Sequence, residues 1–250
     1  MAQKATYDTI GRDYARHRRP DPRIAAQIDA ALGNAESVVN VGAGTGSYEA
    51  GHRRVVAVEP SAVMVAQRPV GAAPALRALA GALPFADGAF DAAMAILTVH
   101  HWPDALAGLA ELRRVAGGVV VLAFDPAVHA EHWLIREYLP ETTTLDTWRT
   151  PPVGAVAEAV DADRVEVVPI PADCVDGFNW AYWRRPEAYL DPDVRACISG
   201  LAQLPGRLVA ERMERLAADL ADGTWYARHA ELTRLDVVDG GFRLVVRPPG

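Results

Sequence analysis

The sequence predicts an α/β fold in which a mostly parallel sheet is doubly wound, with helices on both faces. Short continuous apolar runs, such as SVVNV at 37–41 and GVVVLAF at 118–124, are typical of strands buried on both sides. Segments with helical periodicity alternate with these runs, and the right-handed crossover rule then distributes the helices over both faces. The 250 residues, half of them apolar, suffice for one such domain with a sizeable core.

The chain begins with two predicted helices. Residues 4–19 carry apolar and aromatic side chains at three- and four-residue steps until two prolines interrupt the pattern. A second helix is predicted over about 22–33, where a glycine ends it. We expect residues 1–36 to form the N-terminal helices of a single domain that spans residues 1–250.

Strands and helices then alternate through the central part of the chain. The predicted order is a strand at 37–41, a strand at 54–58, a helix at 61–67, a weak strand at 75–79, a strand at 90–97, a helix at 103–115 and a strand at 118–124. This alternation predicts a ligand-binding core over residues 37–125.

The pattern is less regular in the remainder of the chain. It still predicts strands at 164–170 and 241–247 and a helix near 206–221. We expect the two segments between these elements and the core, residues 126–162 and 172–236, to line the substrate site.

The composition limits the classes of partner that the protein is expected to bind. A net charge of −7 and a pI near 5.5 give no general attraction to nucleic acid or to an anionic membrane. No apolar run is long enough to span a membrane, and the start of the chain lacks the apolar core of a signal peptide. Cys174 and Cys197 lack a CxxC spacing, which is typical of idle thiols in a reducing compartment. We expect a cytoplasmic protein, monomeric or homodimeric, whose partner is a small-molecule substrate and neither nucleic acid nor membrane.

The stretch VVNVGAGTGSY, at 38–48, joins a strand to glycines at alternate positions. Such a strand bares its peptide N–H groups at the carboxyl end of the sheet, where a ligand can lie against the backbone. Glu59 follows the next strand, and its carboxylate can accept both hydroxyl protons of a ribose. The dinucleotide fingerprint needs glycine where Ser47 stands, so the pattern disfavours a nicotinamide-dependent oxidoreductase. The alternative is that these glycines only form a tight turn and that Glu59 is a solvated acid in a loop.

Four stretches resemble the class I S-adenosylmethionine-dependent methyltransferases, in the small-molecule branch similar to the ubiquinone and menaquinone biosynthesis enzymes. They are VVNVGAGTGSY, VVAVEPSAVMVAQ, ALPFADGAFDAAMAILTVHHW and ALAELRRVAGGVVVLAF, and YDTIGRDYARHRRP resembles the family's N-terminal lid helix. The resemblance implies a Rossmann-like sheet of seven strands with an antiparallel last strand. It also implies S-adenosyl-L-methionine as cofactor and methyl transfer to a small molecule. The alternative is a cofactor-binding protein of this fold with a non-methylating or regulatory role.

The resemblance implies a set of cofactor-binding residues. They are Tyr14, Arg19, Asn40, Gly42, Ala43, Gly44, Thr45, Gly46, Glu59, Pro60, Met64, Ala80, Gly81 and Leu97. Two positions depart from the family pattern. Asn40 replaces an aspartate near the cofactor's amino group, which predicts weaker binding but not its loss. Leu79 replaces an aspartate that accepts from adenine, which leaves adenine to backbone groups or to apolar contact.

Methyl transfer from a sulfonium is an in-line displacement, so alignment supplies most of the catalysis and a base is optional. His100 and His101 follow a strand at its carboxyl end and are the candidate catalytic or substrate-contacting residues, with loop anchoring as the alternative. His129, Glu131 and His132 have helical spacing but an incomplete ligand set. We therefore expect a surface helix at these three residues, and no metal.

The segment CVDGFNWAYWRRPEAYL, at 174–190, concentrates aromatic side chains beside two arginines. The aromatic side chains either wall a pocket for a planar or acidic small molecule or pack this segment onto the sheet. Base stacking on nucleic acid is a third interpretation, which the acidic composition disfavours.

Overall fold

A computed structural model describes Asp8, residues 17–145 and residues 150–250. Its strands are β1 (Ser37–Val41), β2 (Arg54–Val58), β3 (Ala75–Leu76), β4 (Phe90–Ile96), β5 (Ala116–Phe124), β6 (Arg164–Val167), β7 (Ile170–Pro171), β8 (Val237–Val238) and β9 (Phe242–Arg247). Seven of them form one sheet in the order β3-β2-β1-β4-β5-β9-β6, and β7 pairs with β8. β9 runs antiparallel to both β5 and β6, and the other pairs in this sheet are parallel. The predicted doubly wound sheet with an antiparallel last strand is confirmed.

The helices of the described residues are α1 (Pro22–Leu32), α2 (Ala62–Ala66), α3 (Ala105–Val115), α4 (Pro126–Ala130), α5 (Val153–Val160), α6 (Pro192–Ala196), α7 (Ser199–Ala202), α8 (Gly206–Ala221) and α9 (Thr224–Arg228). Short polar side chains cap several of them. Asp21 begins α1 and Asp104 begins α3, and each carboxylate accepts a backbone N–H of the first turn. No helix in the described part of the chain is both long and apolar enough to cross a membrane.

The central strands are apolar throughout because both faces of the sheet are covered. Val38 of β1 and Val120 of β5 belong to the core on one face, with α1 and much of the segment 172–236. Val39 and Val121 belong to the core on the other face, with α3 and α5. Successive side chains of a strand point to opposite faces, so the continuous apolar runs serve two cores at once.

Two predicted strands are shorter than expected. The strand predicted at 164–170 ends at Val167 as β6, and Val168 N still donates to the Phe242 carbonyl of β9 at 3.0 Å. Beyond Pro169, Ile170 pairs with Val238 in the second, small sheet. The strand predicted at 75–79 ends at Leu76, whose carbonyl accepts from Glu59 N at 3.0 Å. Only alternate residues donate toward β3, and the next donor, Ser61 N, donates to Glu59 Oε1 at 2.8 Å instead, so the ladder stops.

Candidate functional site

The predicted ligand site is a cavity of about 360 Å³ at the carboxyl ends of β1, β2 and β4. This volume falls within the usual range of cofactor and substrate pockets. The predicted residues that line it are Asn40, Gly42, Ala43, Gly44, Thr45, Glu59, Pro60, Met64, Ala80, Leu97 and His101. Among the other predicted residues, Gly46, Gly81, His100 and Arg19 do not line it, and Tyr14 lies outside the described residues.

The glycine loop after β1 is shaped by close packing. Gly42 has a φ of +71°, and a Cβ added to it would lie 2.0 Å from the Thr98 Oγ1 atom at the end of β4. Gly44 has a φ of +51°, which also favours glycine. The loop therefore needs bare backbone so that it can turn and so that the end of β4 can approach it.

The expectation that the loop bares its N–H groups toward a ligand is wrong for four of them. Gly42 N and Ala43 N donate to the Val58 carbonyl at 2.8 and 3.1 Å, and Gly46 N donates to the Ala43 carbonyl at 2.9 Å. The fourth, Gly44 N, donates to Glu59 Oε2 at 2.8 Å. These hydrogen bonds within the chain hold the loop against the end of β2.

Glu59 is the buried carboxylate of the cavity, with 6 % of its surface exposed. Its Oε2 accepts from Gly44 N and its Oε1 accepts from Ser61 N, each at 2.8 Å. Burial raises the pKa of Glu59, while the two backbone N–H groups oppose that rise by favouring the ionised form. Because each carboxylate oxygen has two lone pairs, each can still accept one hydroxyl proton. Glu59 is thus oriented to accept hydrogen bonds from a pair of neighbouring hydroxyls.

Arg18 lines the cavity, whereas Arg19, the predicted residue, is exposed and does not line it. Arg18 Nε donates to Asp176 Oδ1 at 2.6 Å, and the hydroxyl of Tyr48 donates to Asp176 Oδ2 at 2.8 Å. Asp176 is almost fully buried, with 1 % exposed, so the pair brings its charges close in a low-dielectric environment. This network joins the N-terminal segment, the glycine loop and the segment 172–236, and the sequence did not predict it.

Comparisons with known proteins agree with this geometry. A family model described as a methyltransferase domain matches residues 39–122. A crystal structure from Anabaena variabilis, described as a methyltransferase from an antibiotic biosynthesis pathway, is 33% identical with a TM-score of 0.84. The match covers 92% of this chain and 98% of that one. The chain belongs to the class I S-adenosylmethionine-dependent methyltransferases.

More distant structures share only the fold with this methyltransferase. An S-adenosylmethionine-dependent methyltransferase from Thermotoga maritima is 20% identical, with a TM-score of 0.53 over 66% of this chain and 84% of that one. The cyclase SpnF is 17% identical, with a TM-score of 0.53 over 100% of this chain and 98% of that one. No curated protein matches the chain. Because a cyclase also has this fold, the fold alone does not decide the reaction.

Asn40, the first departure from the family pattern, is held by a buried chain of side chains in this methyltransferase. Its Nδ2 donates to Glu49 Oε1 at 3.0 Å, and Arg68 Nη2 donates to Glu49 Oε2 at 2.6 Å. Asn40 is 2 % exposed, and the Arg68–Glu49 pair is also buried. The amide nitrogen is therefore engaged, which leaves the amide oxygen as the acceptor that Asn40 can offer to a ligand.

We expect the Asn40→Asp substitution, which restores the family's usual acid, to destabilise this protein by about 1–3 kcal/mol. The new carboxylate would face Glu49 without a donor between them, and Arg68 cannot neutralise both charges. Urea unfolding measures the loss, with Asn34→Asp at an exposed site as the matched control. Equal stability of Asn40→Asp and wild type would show that Asn40 is not a required donor.

Leu79, the second departure, is half exposed (53 %) and lines the cavity beside Ala80. Pro60 and Met64 line it as well, and the guanidinium of Arg77 donates to the Pro60 carbonyl at 3.1 Å. Leu79 thus presents an apolar side chain where the family usually has a carboxylate, and Asp8, to which Ser61 Oγ donates at 2.6 Å, is a carboxylate that also lines the cavity.

The two candidate catalytic histidines face different spaces. They belong to the 3₁₀ turn Val99–His101, in which His101 lines the 360 Å³ cavity and His100 lines a second cavity of about 70 Å³. Burial and the nearby Arg18 lower the pKa of His101 to about 4. Burial, followed by the neighbouring His101, lowers the pKa of His100 well below its usual value. Both rings are neutral at pH 7 and are weak bases, which favours hydrogen bonding over proton removal.

The expected surface helix at His129, Glu131 and His132 is wrong for the two histidines. His129 is 5 % exposed and His132 is fully buried, because the segment 172–236 covers them. In the described residues no group of His, Cys, Asp and Glu side chains is arranged to hold a metal ion. The aromatic side chains of 174–190 mostly pack this segment into the core, and Phe178 alone among Phe178, Trp180, Tyr182 and Trp183 lines the second cavity.

Proposed function

We propose that this methyltransferase binds S-adenosyl-L-methionine in the 360 Å³ cavity and transfers its methyl group to a small-molecule acceptor. The observation that carries the proposal is the buried carboxylate of Glu59. Two backbone N–H groups orient it beside the glycine loop, and each oxygen keeps a free lone pair. That arrangement suits the paired hydroxyls of a ribose, and the cavity has room for the rest of the molecule.

The other lining residues divide along the length of the cofactor. Pro60, Met64 and Leu79 supply an apolar surface that suits adenine. The amide oxygen of Asn40 would accept from the amino group at the other end. We assign Arg18 as the cation that pairs with the cofactor's carboxylate. The Nε of its guanidinium already donates to Asp176. Because Arg18 is shared with Asp176, and because positions 40 and 79 lack carboxylates, we expect moderate affinity for the cofactor.

When bound, the cofactor supplies an electrophilic methyl carbon on a sulfonium. The protein's contribution is alignment: the rigid glycine loop and Glu59 hold the donor, and the end of β4 brings His101, Trp102 and Leu97 next to it. The low pKa of His101 supports a mechanism without strong general-base catalysis. The acceptor therefore attacks the methyl carbon with a lone pair that it already carries, without first losing a proton to a histidine. The neutral histidines orient it.

Methyl transfer is tested by incubating the protein with S-adenosylmethionine and a panel of phenols, amines, carboxylic acids and thiols. We expect S-adenosylhomocysteine to form with at least one acceptor class, and to form far more slowly with the Glu59→Gln variant. Cofactor binding without product from any acceptor would support the alternative, a cofactor-binding protein of this fold that does not methylate.

A further inference from the structure

The second cavity adjoins the cofactor cavity. The two share Arg18 and Leu97 as lining residues, and the successive residues His100 and His101 line one each. They therefore meet at the carboxyl end of β4. A methyl donor in the larger cavity and an acceptor in the smaller one would approach each other there, as an in-line displacement requires.

Aromatic and aliphatic side chains form most of the wall of this second cavity. Phe124 comes from the end of β5, Phe242 from the start of β9, and Phe178 and Leu201 from the segment 172–236. The volume is about 70 Å³. Since an apolar cavity of about 150 Å³ binds benzene, which has six non-hydrogen atoms, this space suits a substrate end of about three non-hydrogen atoms.

Polar side chains, including Thr142 and Ser199, interrupt the apolar wall, and one of them presents an oriented acceptor atom. His129 Nδ1 lies 3.3 Å from the Gly240 carbonyl, which can only accept, so this nitrogen carries the proton. Burial lowers the pKa of His129 to about 4, so the ring is neutral at pH 7 and its Nε2 is an acceptor. Asn179 Nδ2 lies 3.1 Å from that Nε2 and donates to it. The orientation of the Asn179 amide is thereby determined, and its Oδ1 is the amide atom that does not bond to His129.

Asn179 Oδ1 is buried and has no hydrogen-bond partner among the residues that the structure describes. Asn179 lines the second cavity, and its backbone carbonyl is held by the hydroxyl of Tyr189. A buried acceptor without a partner costs free energy unless a ligand supplies a donor. The cavity thus offers a place for one N–H or O–H group.

The charges around the cavity disfavour an ionised ligand. Arg18 is the only charged side chain of those described that line it, and its guanidinium is already shared between Asp176, at 2.6 Å, and the cofactor's carboxylate in the proposed complex. His100 and His129 are neutral because burial lowers the pKa of each. A carboxylate or ammonium group entering this space would lose its hydration without gaining an unpaired counter-ion.

We propose that the second cavity is the acceptor site and that it takes the small, uncharged end of a substrate that donates one N–H or O–H to Asn179 Oδ1. This proposal rests on the proposed methyl transfer. Asn179 is the residue that selects the donor group of the substrate. The Gly240 carbonyl holds the proton on His129 Nδ1, and His129 Nε2 in turn positions the Asn179 amide.

The proposal predicts a preference among small probes of three non-hydrogen atoms when the protein is saturated with S-adenosylmethionine. Ethanol has an O–H donor, dimethyl ether is its isomer without a donor, and ethylammonium adds a charge. We expect ethanol to bind roughly fivefold or more tightly than dimethyl ether, since one hydrogen bond is gained and a buried acceptor is satisfied. Ethylammonium is expected not to bind measurably.

Nuclear magnetic resonance can follow this in the wild-type protein, because the chain has only three asparagines, Asn34, Asn40 and Asn179. Selective ¹⁵N-asparagine labelling gives three side-chain amide signals, and ethanol should shift that of Asn179 while dimethyl ether does not. Asn179→Leu should abolish the preference for ethanol, whereas Asn34→Leu at an exposed site should retain it. The wild-type shifts decide the question even if Asn179→Leu fails to fold.

The outcomes separate the two proposals. Dimethyl ether binding as tightly as ethanol, or ethanol shifting a signal other than that of Asn179, would overturn the acceptor site, while S-adenosylmethionine binding and turnover would leave the proposed function standing. Failure of the protein to bind S-adenosylmethionine would overturn both.

Discussion

Replacing Gly42 with alanine is expected to destabilise the protein by about 2–5 kcal/mol and to abolish cofactor binding. The added Cβ would lie 2.0 Å from Thr98 Oγ1 and 2.8 Å from two Thr98 carbons, which is closer than atoms can approach. The φ of +71° adds about 1–2 kcal/mol of backbone strain for a residue with a side chain. Overpacking adds about 1–3 kcal/mol more, because Thr98 is itself buried. Urea unfolding and calorimetric titration measure the two losses.

Gly71 provides the matched control for this substitution. Its φ of +86° is equally unsuited to alanine, but a Cβ added there would meet no atom within 4 Å. Gly71→Ala therefore carries the backbone strain without the clash, about 1–2 kcal/mol. Combining Gly42→Ala with Thr98→Ala removes the closest atom and should recover part of the stability. If Gly42→Ala were no more costly than Gly71→Ala, the close approach of the glycine loop to β4 would be wrong.

The Glu59→Gln substitution is expected to weaken S-adenosylmethionine binding by about a hundredfold. The glutamine amide would turn its NH₂ group toward either Gly44 N or Ser61 N, so that two donors face each other. It would also replace charge-assisted hydrogen bonds to the ribose by neutral ones, and together these losses are worth about 3 kcal/mol. Glu158→Gln, on the exposed side of α5, is the control and should bind as wild type does. Equal affinity of Glu59→Gln and wild type would exclude Glu59 as the ribose ligand.

The same carboxylate predicts a pH dependence of binding. Burial raises the pKa of Glu59 in the unbound protein, and a ribose that donates two hydrogen bonds favours the ionised form. Cofactor affinity should therefore fall as the pH drops through this raised pKa, at a higher pH than for an ordinary glutamate. Glu59→Gln should remove this part of the dependence. A wild-type profile identical to that of Glu59→Gln would contradict it.

The parts of the fold set by local pattern were predictable from the sequence. Helix α8 occupies the predicted residues 206–221, and β5 and β9 follow their apolar runs closely. The glycine loop and Glu59 were predictable because both follow directly from strand ends, and parallel strands bring their carboxyl ends to one edge. The break at Pro169 shows the limit, since no local pattern indicated that Ile170 leaves this sheet and pairs with Val238 in another.

The rest of the site depends on contacts between distant parts of the chain. Arg18 and Asp176 are 158 positions apart, so no local spacing distinguishes Arg18 from Arg19. The helical spacing of His129 and His132 was visible, but which face of the helix is covered depends on Trp180 and Gly240. The second cavity could not be predicted for the same reason, because its lining residues come from separate segments of the fold.

The central claim is that the cavity beside Glu59 binds S-adenosylmethionine, and calorimetric titration of the wild-type protein tests it most directly. We expect one molecule to bind per chain with a micromolar dissociation constant, about −8 kcal/mol, and NAD, the control ligand, not to bind. Absence of binding at millimolar S-adenosylmethionine, or tighter binding of NAD, would contradict the claim.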